Sequence, residues 1–170
     1  MPHLVVSSLS RLHETAEAEG ASHVITLINV GTPVTRPAGV APERHLFIGM
    51  SDITAALDGH VLPGEAHVAQ LLAFARGWER ERPLLIHCWA GVSRSTAAAF
   101  ITACALSPHR DEMEAARALR LASPIATPNA RLVAVADAML GRGGRMVSAI
   151  ASIGRGAEAF EGAPFRYELG

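Results

Sequence analysis

The stretch Leu85-Ile86-His87-Cys88-Trp89-Ala90-Gly91-Val92-Ser93-Arg94-Ser95-Thr96 decides how the rest of the chain is read. Before it lies the apolar run Leu84, Leu85, Ile86, too short for a helix and bounded by Pro83, which reads as a buried central strand. After it come Ala97 to Leu106, apolar on nearly every side, which read as a buried helix. The turn between them carries a cysteine and, six positions on (94 − 88 = 6), an arginine. A loop whose backbone N–H groups converge at a helix N-terminus forms an anion nest, and the partial positive charge of the helix end adds to it. A doubly charged phosphate fits there. Arg94 supplies a planar, permanently charged fork for two phosphate oxygens. The same donors favour the thiolate of Cys88, which would stand as a nucleophile in line with a bound phosphate. Gly91 permits backbone angles or a close approach that a side chain would block. His87 can orient the loop through its ring nitrogens, and Ser95 can offer its hydroxyl to the sulfur when it departs.

The run His87-Cys88-x-Ala90-Gly91-x-Ser93-Arg94-Ser95 resembles the signature loop of the cysteine-dependent protein tyrosine phosphatases. Its Ala-Gly-x-Ser-Arg-Ser form resembles their dual-specificity branch, and Pro128-Asn129 resembles the pair that precedes a late helix there. The signal is specific because it combines a fixed Cys-to-Arg spacing with a preceding His, an internal Gly, a following hydroxyl and a strand–loop–helix setting. The resemblance runs from the first strand to the helix after Asn129. It implies a phosphomonoester hydrolase acting through a phosphocysteine, with Cys88, Arg94, Ser95 and an aspartate as catalytic residues. It further implies that His87, Trp89, Ala90, Gly91, Val92, Ser93 and Arg94 form the phosphate-binding loop, and that no metal or cofactor is needed.

In that family the general acid comes from a loop after a strand, a few dozen residues upstream of the cysteine. Of the four aspartates, Asp52 and Asp58 precede the loop, by 36 and 30 residues (88 − 52 and 88 − 58). Asp52 is favoured because it sits just past an expected strand, His45 to Met50, and would leave the sheet at the same end as the loop. Asp58 lies further out beside Gly59, and it and Glu65 are the reserves.

At 170 residues, 49% hydrophobic and 18% charged, the chain suits one domain with a sizeable core. We expect that domain over residues 1–153, with an irregular tail over 154–170. The net charge of −1 offers no basic field for nucleic acid or an anionic membrane, and all fifteen positive residues are Arg. Two cysteines make no disulfide framework, and a working thiolate needs a reducing compartment. Met1-Pro2-His3 opens no secretory leader, and no apolar run reaches the ~18 residues of a membrane span. A soluble cytoplasmic protein is the expectation.

In chain order, residues 3–9 read as a strand, Ser10 as the N-cap of a short acidic helix through Glu19 with Gly20 just past its end, and 23–29 as a strand buried on both faces. Residues 30–44, rich in Gly and Pro, read as a loop. Val68, Leu71, Leu72 and Ala75 fall on one helical face. Further helices are expected from Asp111, from a cap at Asn129, and beyond Gly144. Arg110, Arg117, Arg120, Arg142 and Arg145 read as solvated faces, and Cys104 as core. Trp89 fits either a pocket rim or packing between helices. The sum is an α/β fold: a small, mostly parallel central sheet flanked by helices, with the site at the carboxyl end of the central strand.

A phosphorylated protein or a small phosphomonoester is the expected partner, with oligomeric state open. Residues 30–44 and 123–128 are expected to set pocket depth, and hence the choice among phosphotyrosine, phosphoserine or non-protein phosphates. A rhodanese-like sulfurtransferase would have a loop one residue shorter and no required acid. A small arsenate reductase would carry its loop near the N-terminus. A phosphate-recognition module without turnover would usually have lost the Cys or the Arg.

Overall fold

The computed structural model describes residues 2–170; Met1, the first residue of the expected domain, lies outside them. Among the described residues, five strands form one sheet in the order β3-β2-β4-β1-β5, namely β1 His3–Ser7, β2 His23–Ile28, β3 His45–Gly49, β4 Leu84–His87 and β5 Phe165–Glu168. The first four pair in parallel and β5 runs antiparallel to β1 at the edge. Six helices accompany them: α1 Leu12–Glu19, α2 Glu65–Arg76, α3 Arg94–Leu106, α4 Glu112–Ala122, α5 Ala130–Met139 and α6 Arg145–Ile153. None is long and apolar enough to cross a membrane.

Strand alternation divides the core. Leu4, Val6, Ile25, Leu27, Ile48, Leu84 and Ile86 face the larger cluster, which contains side chains of α2 through α6. Val5, Val24 and Leu85 face the smaller one, covered by Leu12 and Ala16 of α1. Helix α3 is buried from Arg94 to Cys104, and its run of Ala lets it lie close against both the sheet and the surrounding helices. With helices on both sides, β2 is buried at all six positions, four of them apolar and the two polar ones, His23 and Thr26, held by side-chain hydrogen bonds.

Three expectations need correction. Ser10 does not cap α1: the N-cap position is Arg11, with no side-chain cap, and Ser10 Oγ donates instead to Glu161. The tail is not irregular throughout 154–170, since Phe165–Glu168 closes the sheet edge as β5. There Tyr167 is fully buried and its hydroxyl donates to Ala115 O at 2.7 Å. Three of the arginines are not a solvated face, and the first, Arg110, has a side chain only 11% exposed and donates to Glu168 O at 3.0 Å. Arg142 is buried, donating to Glu112 at 2.9 Å and to Cys104 O at 2.8 Å, while Arg120 donates to Ala126 O and Gly154 O, each at 2.8 Å. Arg120 thereby ties the start of the tail to the loop after α4.

Candidate active site

Residues 88–93 link the central strand β4 to α3, and five of their six carbonyls, all but that of Gly91, accept hydrogen bonds. Cys88 O meets His87 Nδ1 at 3.0 Å, Trp89 O accepts from Leu9 N–H at 3.0 Å, and Ala90 O accepts from Gly162 N–H at 2.8 Å. Val92 O accepts from Thr127 N–H at 2.9 Å and Ser93 O from Asn129 N–H at 3.1 Å. Carbonyls held outward turn the peptide N–H groups toward the concave side, the arrangement that makes an anion nest. Gly91 is required for this path. Its φ is +74°, and a Cβ there would stand 3.0 Å from the Ser7 and Ser8 backbone.

Inside the concavity Cys88 Sγ lies 3.1 Å from Ser95 Oγ and accepts from Gly91 N–H at 3.3 Å. Arg94 is almost fully buried, and its Nη1 donates to Asn29 Oδ1 at 2.7 Å and to Met50 O at 2.9 Å. Its Nε is buried and has no protein acceptor. A buried cationic donor without a partner is costly, on the order of 1–3 kcal/mol or more. An oxyanion in the cleft would remove that penalty. Asp52 stands at the rim, where its Oδ1 accepts from Ser93 Oγ and from Asn129 Nδ2, both at 2.8 Å. Both bonds fall on one carboxylate oxygen.

These groups line a cleft of about 450 Å³ that includes Asn29, Asp52, Cys88, Trp89, Arg94 and Ala159. It continues past Asp52 and Ala159 into a second hollow of about 480 Å³, walled by Thr127 to Ala130 and by Arg155 to Ala159. Asp58 and Glu65 line neither. Trp89 is a rim residue, more than half exposed.

Behind the loop, on the α1 side of the sheet, three side chains form a chain. Burial pushes the His87 ring down to about 4, against the raising effect of its bond to the Cys88 carbonyl, so it is neutral. Its Nδ1 must then donate to Cys88 O, and Nε2 accepts from Thr26 Oγ1 at 2.7 Å. Thr26 Oγ1 in turn accepts from His45 Nε2 at 2.8 Å. Burial, and to a lesser degree Arg36, also lowers the pKa of His45. Strand register sets Thr26 opposite His87 across β2 and β4, and His45, whose own register partner on β2 is Val24, reaches Thr26 diagonally on the same face.

Sequence reasoning missed Asn29, Thr26, His45 and Ala159, and saw Asn129 as a cap and as half of the Pro128-Asn129 pair, without its link to Asp52. It is a cap, accepting from Leu132 N–H at 3.0 Å, but its amide also orients Asp52. Only Asn29, the first residue after a buried strand, carried a usable signal.

Solved structures share this architecture. Human DUSP28 matches with a TM-score of 0.62 at 21% identity, over 84% of this chain and 96% of its own. DUSP15 matches at 0.63 and 16% identity, over 90% and 91% of the two chains. This is the dual-specificity phosphatase fold. PTP-2 phosphatase of Cydia pomonella shares it too, at a TM-score of 0.61 and 18% identity over 78% of this chain and 83% of that one. No family model and no curated protein sequence matches the chain. At these identities the phosphatase fold is what is shared, and the chemistry has to be argued from the site.

Proposed function

We propose that this chain is a cysteine-dependent phosphomonoester hydrolase, a protein tyrosine or dual-specificity phosphatase that works through a phosphocysteine. One observation carries the reading: Cys88, the buried Arg94 and Asp52, from three separate parts of the chain, line one cleft. Cys88 attacks phosphorus while Asp52 gives its proton to the departing oxygen. Water, deprotonated by Asp52, then attacks the phosphocysteine, and the sulfur leaves toward Ser95 Oγ. Throughout, the loop amides and the Arg94 fork hold the transferring oxygens, and most of the acceleration arises there. Asn29 and Met50 O fix one end of the guanidinium so that its other edge faces the phosphate.

The test is hydrolysis of para-nitrophenyl phosphate against pH, in reductant and chelator, for wild type, Cys88→Ser and Asp52→Ala. The expected wild-type profile is bell-shaped and vanadate-sensitive. Cys88→Ser should be inactive, and Asp52→Ala about 10²-fold slower with the basic limb lost. An inactive wild type that still binds vanadate would make the loop a recognition site instead.

A further inference from the structure

Beside the cleft, and sharing its Trp89 and Ala90 wall, lies a smaller apolar pocket of about 240 Å³, completed by Leu9, Ser10, Phe160 and Glu161. Its aromatic walls are turned to solvent: Phe160 is 91% exposed and Trp89 57%. Exposed rings of this size adjoining a site mark a contact surface more often than chance placement. Nor is Phe160 on a loose strand of chain. Gly156 N–H donates to Thr127 Oγ1 at 3.0 Å, Ala157 N–H to Pro124 O at 3.0 Å, and Gly162 N–H to Ala90 O at 2.8 Å, while Glu161 accepts from Ser8 and Ser10. A Cβ at Gly156 would come within 2.4 Å of the Ile125 carbonyl carbon, so the segment is packed as tightly as it is bonded. The backbone on both sides of the ring is fixed.

We propose that Trp89, Phe160 and Leu9 form a subsite for an apolar side chain adjoining the phosphorylated residue of a protein substrate. This rests on the phosphatase reading above and names its substrate class. Continuity with the cleft supports it: Trp89 follows the nucleophile directly, and in an extended peptide the next side chain is only about 3.5 Å further along the backbone. The pocket has room for one side chain rather than for acyl chains. Its rim carries the Glu161 carboxylate, which the Ser10 and Ser8 hydroxyls hold below the usual carboxylate range. A fixed negative charge there opposes an anionic lipid surface.

The experiment compares kcat/KM of the full chain on phosphotyrosyl peptides that differ only in having Leu or Ser before or after the phosphorylated residue. Wild type should favour Leu on one side by about tenfold, the scale of one apolar contact in a pocket. Phe160→Ser should cut that preference to about twofold or less, while Glu161→Gln keeps it. Phe160 is too exposed for its replacement to threaten folding. Equal rates on all peptides, or a preference that survives Phe160→Ser, would overturn the subsite. So would faster turnover of phosphoinositide vesicles than of any peptide, if Phe160→Ser lost that advantage. Hydrolysis of para-nitrophenyl phosphate by the same wild-type preparation separates the two claims. If it proceeds without peptide selectivity, the subsite alone fails; if it is absent, both fail.

Discussion

Arg94 spends Nη1 on Asn29 and Met50 O and leaves Nε without a protein partner, and in the mechanism we propose that remaining edge serves the phosphate. A lysine cannot do both. Arg94→Lys is expected to lose at least about 10²-fold in kcat/KM, with vanadate affinity falling in parallel, because a point charge replaces an oriented fork. Ser95 acts later. Ser95→Ala should slow hydrolysis of the phosphocysteine more than its formation, so a rapid-mixing trace should show a burst of para-nitrophenol followed by a slower steady state. The residues behind these two expectations, with Cys88 and Gly91, were readable because nine consecutive positions hold them and local geometry does the rest. Thr26 and His45 come from neighbouring strands and Asn29 from the end of β2, and the parallel arrangement of those strands places them beside the loop. No spacing in one sequence encodes that.

Among elements, β4, the loop and α3 were legible from an apolar run, a tight turn and an apolar helix in sequence. The tail was not. Strand β5 has four residues, Phe165 to Glu168, of which only Tyr167 is buried, so it shows neither an apolar run nor an alternation long enough to detect. Its edge position explains the composition, since one side of an edge strand faces solvent. Yet Tyr167 fills the core beneath α4 and anchors the return of the chain after the cleft wall. Tyr167→Ala is expected to lower unfolding free energy by about 3 kcal/mol, read from urea denaturation, whereas Tyr167→Phe should cost about 1 kcal/mol for the lost hydrogen bond. The misread start of α1 has the same root: Ser10 looks like a cap locally but is taken by Glu161 from the far end of the chain.

At the scale of the molecule, the sheet separates a large core from a small polar-edged one, and the His87–Thr26–His45 chain lies on the small side. That arrangement has a pH signature. His87 titrates near 4 in the folded protein against about 6.5 when unfolded. Between those values the unfolded chain binds a proton that the folded one refuses, so stability present above pH ~6.5 is lost as pH falls toward ~4. His45, His23 and His67 are shifted in the same direction by burial. Urea midpoints should therefore fall steadily from pH 7 to pH 4, with about 3 kcal/mol of the loss due to His87. His87→Asn should flatten that slope. The α/β class and the mostly parallel sheet were legible from strands alternating with helices. The strand order and the antiparallel edge depend on how the chain's end returns to its beginning.

The chemistry stands or falls on where the phosphoryl group rests between the two steps. Acid-quenched Ser95→Ala enzyme, mixed with para-nitrophenyl phosphate and digested for mass spectrometry, should carry one phosphoryl group on the peptide containing Cys88, and Cys88→Ser should carry none. Steady release of phosphate with that peptide unmodified, or with the label on another residue, would contradict a phosphocysteine mechanism.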